Sequence, residues 1–377
     1  MKTQTPTIEI HGTGIHNRGA ELMAIAIAER LRSVYPQVHI VVPPAFGWPD
    51  DRKRYGFLTT WEATTKREGL RTIASLISSR VINPKRVDVV LDASGFAFSD
   101  QWGDFFARSL VQKMNKPQRE SQLLVLLPQA LGPFEDQGVR TWAERLFQRA
   151  TLVLARDTKS YMYAQPIAQP GKLIQSPDFT IAVKPMAKHG IVFPQHFAAL
   201  VPNMRMLDKS DNPEAYLTFL RTCVRLLSEK GITPAFVIHD AKEDREVIGL
   251  LGEEYKGLPV FQDPDPRVLK WILGKAEFVI GSRFHALVST LSQGVPCIGA
   301  GWSHKYPELF ADFACPHALV SDLADLDKLR QQITVLTTPE GRNSESARIS
   351  TAASALKQKV DEMWTTVVGK INEQLNR

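Results

Sequence analysis

Cysteine is scarce: Cys223, Cys297 and Cys315 are the three in 377 residues, far apart and in no CxxC arrangement. A disulfide framework and a thiolate zinc site are therefore not expected, and a reducing cytoplasm suits such usage. Long apolar runs are missing too. The N-terminal MKTQTPTIEIHG has no charged segment leading into an apolar signal core, and no stretch reaches the roughly 18 apolar residues of a membrane span. The expected location is cytoplasmic, with any membrane contact peripheral. The 46 basic and 40 acidic residues give a net charge of +6 that is spread along the chain. Without a basic stripe interleaved with aromatics, nucleic acid is not an expected partner. The mild positive excess is compatible with an anionic ligand or surface and decides nothing more. No internal repeat or low-complexity tract is present, and no spacing suits a metal site, so no metal is expected.

What is present is length and periodicity. With 44% apolar composition, 377 residues suffice for two domains, each with its own core. Short apolar runs alternate with stretches of helical period, the pattern of βα units in parallel sheets. Strands are expected at 7–10, 38–42, 87–92, 122–127, 152–155, 199–202, 235–238, 260–261, 278–280 and 297–300. The pattern loosens in SPDFTIAVKPMAKHGIVFPQH, residues 176–196, which places the boundary there. The expectation is an α/β protein with two Rossmann-like domains, 1–185 and 186–377. In the second, Asp211 or Asn212 can cap a helix over 212–230, with Pro213 in its first turn and Leu217, Leu220, Val224 and Leu227 as its apolar stripe. Gly231 ends it. A last helix over 343–376 follows both domains and can return to the first.

The segment EFVIGSRFHALVSTLSQGVP, residues 277–296, carries the sharpest signal. A strand at 278–280 meets Gly281, Ser282 is a candidate N-cap, and a helix is expected from Arg283 to Gln293 before Gly294 stops it. Arg283 and His285 then fall in the first helical turn. Cations there oppose the helix dipole at a cost of about 0.3–1 kcal/mol unless something negative is near. A bound anion removes the conflict: N-terminal amides suit phosphate or carboxylate, Arg adds a planar fork, and His a group that titrates near neutrality. The other reading is that Arg283 pairs with a carboxylate and His285 is a satisfied structural residue.

Weaker candidates occupy other strand ends. GTGIHNRGAE sets Gly12, Gly14 and Gly19 around Asn17, which can donate and accept from such a loop, but the glycine spacing departs from GxGxxG. DASGFAFSDQWGD is a small-residue loop. PQALGPF offers Gln129, and ARDTKS offers Arg156 and Asp157, which can also neutralise one another. Asn203 follows the strand at 199–202. His239 and Asp240 end another strand in VIHDAKED, poor spacing for a metal and better suited to hydrogen bonding. Lys305, in GWSHKYPELF, can extend an anion site or stand solvated. Loops at one sheet edge can converge on a ligand.

In this order, GIHNRGAE, DASGFAF, PQALGPF, LARDTKS, SPDFTIAV, VPN, VIHDAKED and GSRFHALVSTLSQGVPCIG with Lys305 downstream, the chain resembles the polysaccharide pyruvyl transferase family over nearly its whole length. The resemblance implies a glycosyltransferase type B-like architecture with a cleft between two Rossmann-like domains, the first on the acceptor side. It implies transfer of the pyruvyl group of phosphoenolpyruvate, as co-substrate and with no cofactor, to a sugar of an exopolysaccharide or cell-wall precursor as a ketal. A lipid-linked oligosaccharide at the inner membrane face would be the acceptor. By position, Arg283 and His285 resemble the donor-binding and catalytic pair and Arg156 an arginine that assists with the donor; Ser282 and Lys305 are further candidates for the donor, and Asn17, Gln129, Asn203 and His239 for the substrate cleft. Where Gly-Asp-Glu is common in the family, this chain has Gly-Ala-Glu, and its second loop is SGFAF, which leaves acceptor choice open. Oligomeric state is not legible. The rival readings are a type B glycosyltransferase or nucleotide-sugar epimerase, and a carbohydrate- or anion-binding protein without turnover.

Overall fold

The computed structural model describes residues 5–62, 66–77, 80–208, 212–240, 243–301 and 303–376. Runs of Val, Ile and Leu flanked by turn residues form strands covered on both faces, as parallel sheets require. The first sheet is built from β1 (Thr7–His11), β2 (His39–Val42), β3 (Leu58–Thr60), β4 (Val81–Ile82), β5 (Val89–Asp92), β6 (Leu123–Gln129), β7 (Leu152–Ala155) and β8 (Leu173–Gln175). Its spatial order is β4-β3-β2-β1-β5-β6-β7-β8, every pairing parallel. The second contains β9 (Phe197–Val201), β10 (Thr233–Ile238), β11 (Val260–Gln262), β12 (Val279–Gly281), β13 (Cys297–Ala300) and β14 (Leu319–Val320). Its order, β11-β10-β9-β12-β13-β14, is again parallel throughout. That is the doubly wound Rossmann order counted from its own first strand.

The chain divides into two contact-dense units. The first holds the segment up to His16, Ala20–Phe179 and the chain from Lys359 on; the second holds Asn17–Gly19 and Thr180–Gln358. In the second unit one side of the sheet packs Val201, Val237, Val279 and Leu287 with helix Pro266–Leu273, while the other packs Leu200, Phe236 and Ile280 with helix Pro213–Glu229. That helix runs as its apolar stripe predicts. Asn212 Oδ1 accepts from Ala215 N at 3.2 Å, Pro213 sits in the first turn, and Gly231 has φ +73°. Asp211, the other candidate cap, lies outside the described residues. The core of the first unit gathers Val90, Leu124, Leu126 and Val153 against Leu110, Leu146 and Phe147. The final helix extends over Pro339–Leu375, its residues up to Gln358 belonging to the second unit and those after it to the first. No helix among the described residues is long and apolar enough to cross a membrane.

Candidate functional site

Each sheet reverses its winding once, and open α/β sheets bind ligands beyond the strand ends at such a point. In the second sheet the reversal lies between β9 and β12, where Asn203 follows one strand and Ser282 and Arg283 follow the other. The turn is clamped from every side. Ser282 N donates to Val201 O at 3.2 Å, and its Oγ meets Tyr216 Oη at 2.5 Å. Its carbonyl accepts from Asn203 Nδ2 at 2.7 Å and Tyr306 Oη at 2.9 Å. Asn203 N donates to Tyr216 Oη at 3.0 Å, and Asn203 Oδ1 accepts from Arg205 N at 3.1 Å. The Ser282 hydroxyl is thus engaged inside the fold instead of capping the helix, which starts at Phe284. Arg283 takes the N-cap position with φ −93° and ψ 116°, one residue before the expected helical turn. Asn203 and Ser282 hold the turn; their side chains are buried in that task.

Arg283 reaches back to Asp244 on helix Glu243–Leu251. Its Nε lies 3.1 and 3.0 Å from the two carboxylate oxygens, and Nη2 also bonds Oδ1. Asp244 is fully buried and accepts from Asp240 N at 2.8 Å and Met204 N at 3.3 Å. Burial works against the guanidinium's charge, but Asp244 outweighs it and the pKa of Arg283 is raised. The carboxylate fixes one edge of the guanidinium; Nη1 has no bond among the described residues.

His239, at the end of β10, is 7% exposed and its Nε2 has no hydrogen-bond partner among the described residues. Desolvation, and then the charges of Arg283, His285 and Arg18, push its pKa down to about 3, so the imidazole is neutral. The second residue of helix Phe284–Leu291 is His285, whose ring lies edge-on to Phe284. Gly19 explains one glycine of the N-terminal loop: a Cβ there would fall 2.2 Å from His285 Nδ1. Asn17 Oδ1 accepts from Gly19 N at 2.8 Å, tying the start of helix Arg18–Val34. Lys305 opens helix Lys305–Asp312, with Nζ 5.4 Å from the Phe284 ring and 5.5 Å from that of Tyr306. One strand-end cluster of the second unit therefore brings together His239, Arg283 and His285.

Arg156 and Gln129 belong to the first unit. Arg156 is buried, and its Nη1 bonds Asp178 Oδ2 at 3.2 Å, while Asp157 Oδ1 caps helix Thr158–Ala164 through Ser160 N at 2.7 Å. Gln129 Nε2 donates to Asp92 Oδ1 at 3.2 Å. That carboxylate stands where the first sheet reverses, between β1 and β5, and its Oδ2 lies 2.8 Å from His11 Nδ1. Reading the sequence missed His11, Asp92, Asp244 and Tyr216. The available signal was positional: IEIHG and VLDAS each end a strand with an ionisable residue just before a small-residue turn. Among the described residues no group of three or more His, Cys, Asp or Glu side chains could hold a metal ion.

A family described as polysaccharide pyruvyl transferase matches residues 17–304. No curated protein matches the chain significantly in sequence. Solved structures resemble it in fold. S. aureus MnaA with UDP is 11% identical with a TM-score of 0.64, the match covering 98% of this chain and 97% of that one. The UDP-GlcNAc 2-epimerase from Neisseria meningitidis bound to UDP-GlcNAc is 10% identical with a TM-score of 0.60, covering 97% and 100%. Anabaena Alr3699/HepE in complex with UDP and glucose is 11% identical with a TM-score of 0.55, covering 96% and 100%. The fold is thus the α/β, glycosyltransferase type B-like one expected; at these identities the likeness speaks for architecture alone.

Proposed function

This chain belongs to the polysaccharide pyruvyl transferase family, and from that premise we propose that it moves the pyruvyl group of phosphoenolpyruvate onto two hydroxyls of a sugar in a glycan precursor, forming a ketal. The observation that carries the donor assignment is the state of His239. Burial first, and then the charges of Arg283, His285 and Arg18, hold the His239 pKa down at about 3, so three cationic groups converge on one neutral imidazole at this strand end. Phosphoenolpyruvate brings a carboxylate and a phosphate on three carbons, and an arginine fork with a helix N-terminus suits both groups. Asp244 orients Arg283 for that task without filling it, because one guanidinium edge remains to face a ligand.

In this reading His285 delivers a proton to the methylene carbon of the donor, which makes the adjacent carbon electrophilic. One sugar hydroxyl adds there, phosphate departs, and a second hydroxyl closes the ketal. The two protons given up by the diol end on the new methyl group and on phosphate. His239 supplies a neutral hydrogen-bonding nitrogen beside the anion, and Lys305 adds a more distant charge. Arg156 is the remaining donor-side candidate, acting while paired with Asp178. The scheme assigns no resident cofactor and no metal, since arginines and helix amides provide the neutralisation. A lipid-linked oligosaccharide is the proposed acceptor, met by a cytoplasmic enzyme at the inner membrane face.

The structural neighbours solved with UDP or UDP-GlcNAc make a nucleotide sugar the competing ligand. Thermal shift separates the two. Phosphoenolpyruvate should raise the melting temperature, whereas UDP-N-acetylglucosamine at the same concentration should not. The reverse result would replace the donor assignment with a nucleotide-sugar one.

A further inference from the structure

Helix Lys66–Ile77 of the first unit is amphipathic in the reverse of the usual sense. Residues three apart share a helical face. Leu70 and Ile73 form one such pair and are 60% and 58% exposed, whereas Thr72 and Ser75 form another and are 6% and 0% exposed. A surface helix ordinarily turns its apolar stripe to the core, as helix Pro213–Glu229 does in the second unit. The reversal has a local cause. Buried Arg52 donates from Nη2 to Ser75 Oγ and from Nη1 to Gly47 O at 2.6 Å, so the inner side must offer acceptors. Ser75 Oγ in turn donates to Arg71 O at 2.6 Å, and Thr72 Oγ1 to Glu68 O at 2.9 Å. The hydroxyls are satisfied inside, and the leucine and isoleucine face out.

An indole and a set of cations accompany this stripe. Arg71 Nη1 donates to Ala45 O at 2.9 Å and Pro44 O at 3.3 Å, and its guanidinium carbon stands 5.6 Å from the centre of the Trp48 ring. Trp48 is 43% exposed, and Asp51 Oδ2 accepts from its N at 2.7 Å at the start of helix Pro49–Arg54. That helix ends in Lys53 and Arg54, both exposed. Residues 48–80 carry seven basic and four acidic side chains, a local excess of positive charge. Phe105 and Phe106 are exposed as well, but the charges that precede them are the acidic Asp100 and Asp104. Apolar surface and cations coincide at helix Lys66–Ile77 and do not at that pair.

We propose that helix Lys66–Ile77 and Trp48 form a docking face for a lipid bilayer with anionic headgroups. Leu70 and Ile73 enter the boundary between headgroups and acyl chains, Trp48 sits at headgroup level, and Lys53, Arg54 and Arg71 meet lipid phosphates. Charge selects this occupant. If a second copy covered the face about a two-fold axis, the same cations would confront their own counterparts, which is repulsive, whereas a surface of negative lipids attracts them. The pyruvyl-transfer reading brings the enzyme to a membrane through its acceptor and assigns it no surface; this face binds lipid without donor, acceptor or turnover.

Co-sedimentation of the full-length protein with vesicles tests this, using phosphatidylcholine alone or with about 30 mol% phosphatidylglycerol. The wild type should bind the anionic vesicles about tenfold or more tightly than the neutral ones, and the difference should shrink as salt is raised to about 0.5 M. Leu70→Gln combined with Ile73→Gln removes the apolar stripe without adding charge; it should weaken binding about tenfold or more and keep cooperative melting, since both side chains are exposed. Lys53→Gln should weaken binding about fivefold. Phe105→Gln combined with Phe106→Gln should bind as the wild type does. Equal affinity for the two kinds of vesicle overturns the proposal, as does wild-type binding by the Leu70 and Ile73 double variant. Loss of cooperative melting in that variant would make the stripe part of the core and overturns it too. A wild type that ignores vesicles refutes it in either of two ways: self-association abolished in the double variant, read by sedimentation velocity, gives the face to a second copy, and a monomer leaves it to another protein.

Discussion

The two sheets reverse at equivalent points of their winding and are dressed in opposite chemistry. Beyond β9 and β12 the second sheet presents Arg283, His285 and a neutral His239, with the buried carboxylate of Asp244 spent on holding the arginine. Beyond β1 and β5 the first presents Asp92, Gln129 and Thr13, all uncharged or acidic, around a single histidine. The same backbone device therefore serves two purposes. Strand ends and helix starts provide amides and short turns in both units, and the side chains set the charge at each reversal point. A histidine reads its surroundings in each: basic neighbours and burial keep His239 unprotonated, whereas His11 is oriented by a sealed carboxylate.

The most severe way to break this contrast is to remove the carboxylate from the cationic side. Asp244→Asn takes from Arg283, whose side chain is 14% exposed, its nearest counter-charge and leaves Glu243 at 4.0 Å, and losing one partner of a buried pair costs about 3–5 kcal/mol. The apo protein should lose that much in denaturant unfolding. An anionic donor would then supply the missing counter-charge, so phosphoenolpyruvate should raise the melting temperature of the variant by more than it raises that of the wild type. Equal stability of the two apo proteins would show that Asp244 does not govern Arg283.

Next in size is His285, the proposed acid. His285→Ala should lower turnover with phosphoenolpyruvate by about 100-fold, about 2.7 kcal/mol, while the donor still shifts the melting temperature. Arg283→Ala should do the opposite in emphasis, weakening donor binding first. If the two variants have the same profile, both residues belong to binding and the division of roles within the second unit is lost.

How much of this was open to reading beforehand differs between the layers. Most central strands are legible because burial on both faces leaves near-continuous apolar runs, as in LLVLLPQ and FAALV. The edge strands Val81–Ile82, Leu173–Gln175 and Leu319–Val320 are not, and neither is Leu58–Thr60 beside the first of them, since two or three residues leave no period to detect. Arg283 and His285 stand out because cations at a helix start violate an electrostatic preference. Asp244 does not, because it is one acid among several in KEDRE and pairs with Arg283 from 39 positions away. Glu9 is the same case in the first sheet. A glutamate inside TIEIH makes sense only once Arg119, at 2.8 Å, and Lys113 are seen against it; despite full burial they hold its pKa down at about 2. Long-range partners of buried charges are fixed by topology, which local pattern does not encode. Ser282 shows the converse error: a serine before a helix reads as a cap, yet Tyr216 claims its hydroxyl.

The smallest expected effect tests how far the cationic field extends. Lys305 lies over the faces of Phe284 and Tyr306, and an ammonium is a compact point charge on a flexible stem. Its contribution to an anion bound near Arg283 should be partly screened, since at 0.1 M salt the Debye length is about 10 Å. Lys305→Met, which keeps the apolar stem over the rings, should weaken phosphoenolpyruvate binding by about twofold to fivefold, or about 0.4–1 kcal/mol, at low ionic strength. The difference should shrink as salt is raised towards 0.5 M, as titration calorimetry at three salt concentrations can show. A loss as large as that of Arg283→Ala, independent of salt, would mean that Lys305 contacts the donor directly and that the anion site reaches from the β12 turn to the helix after β13.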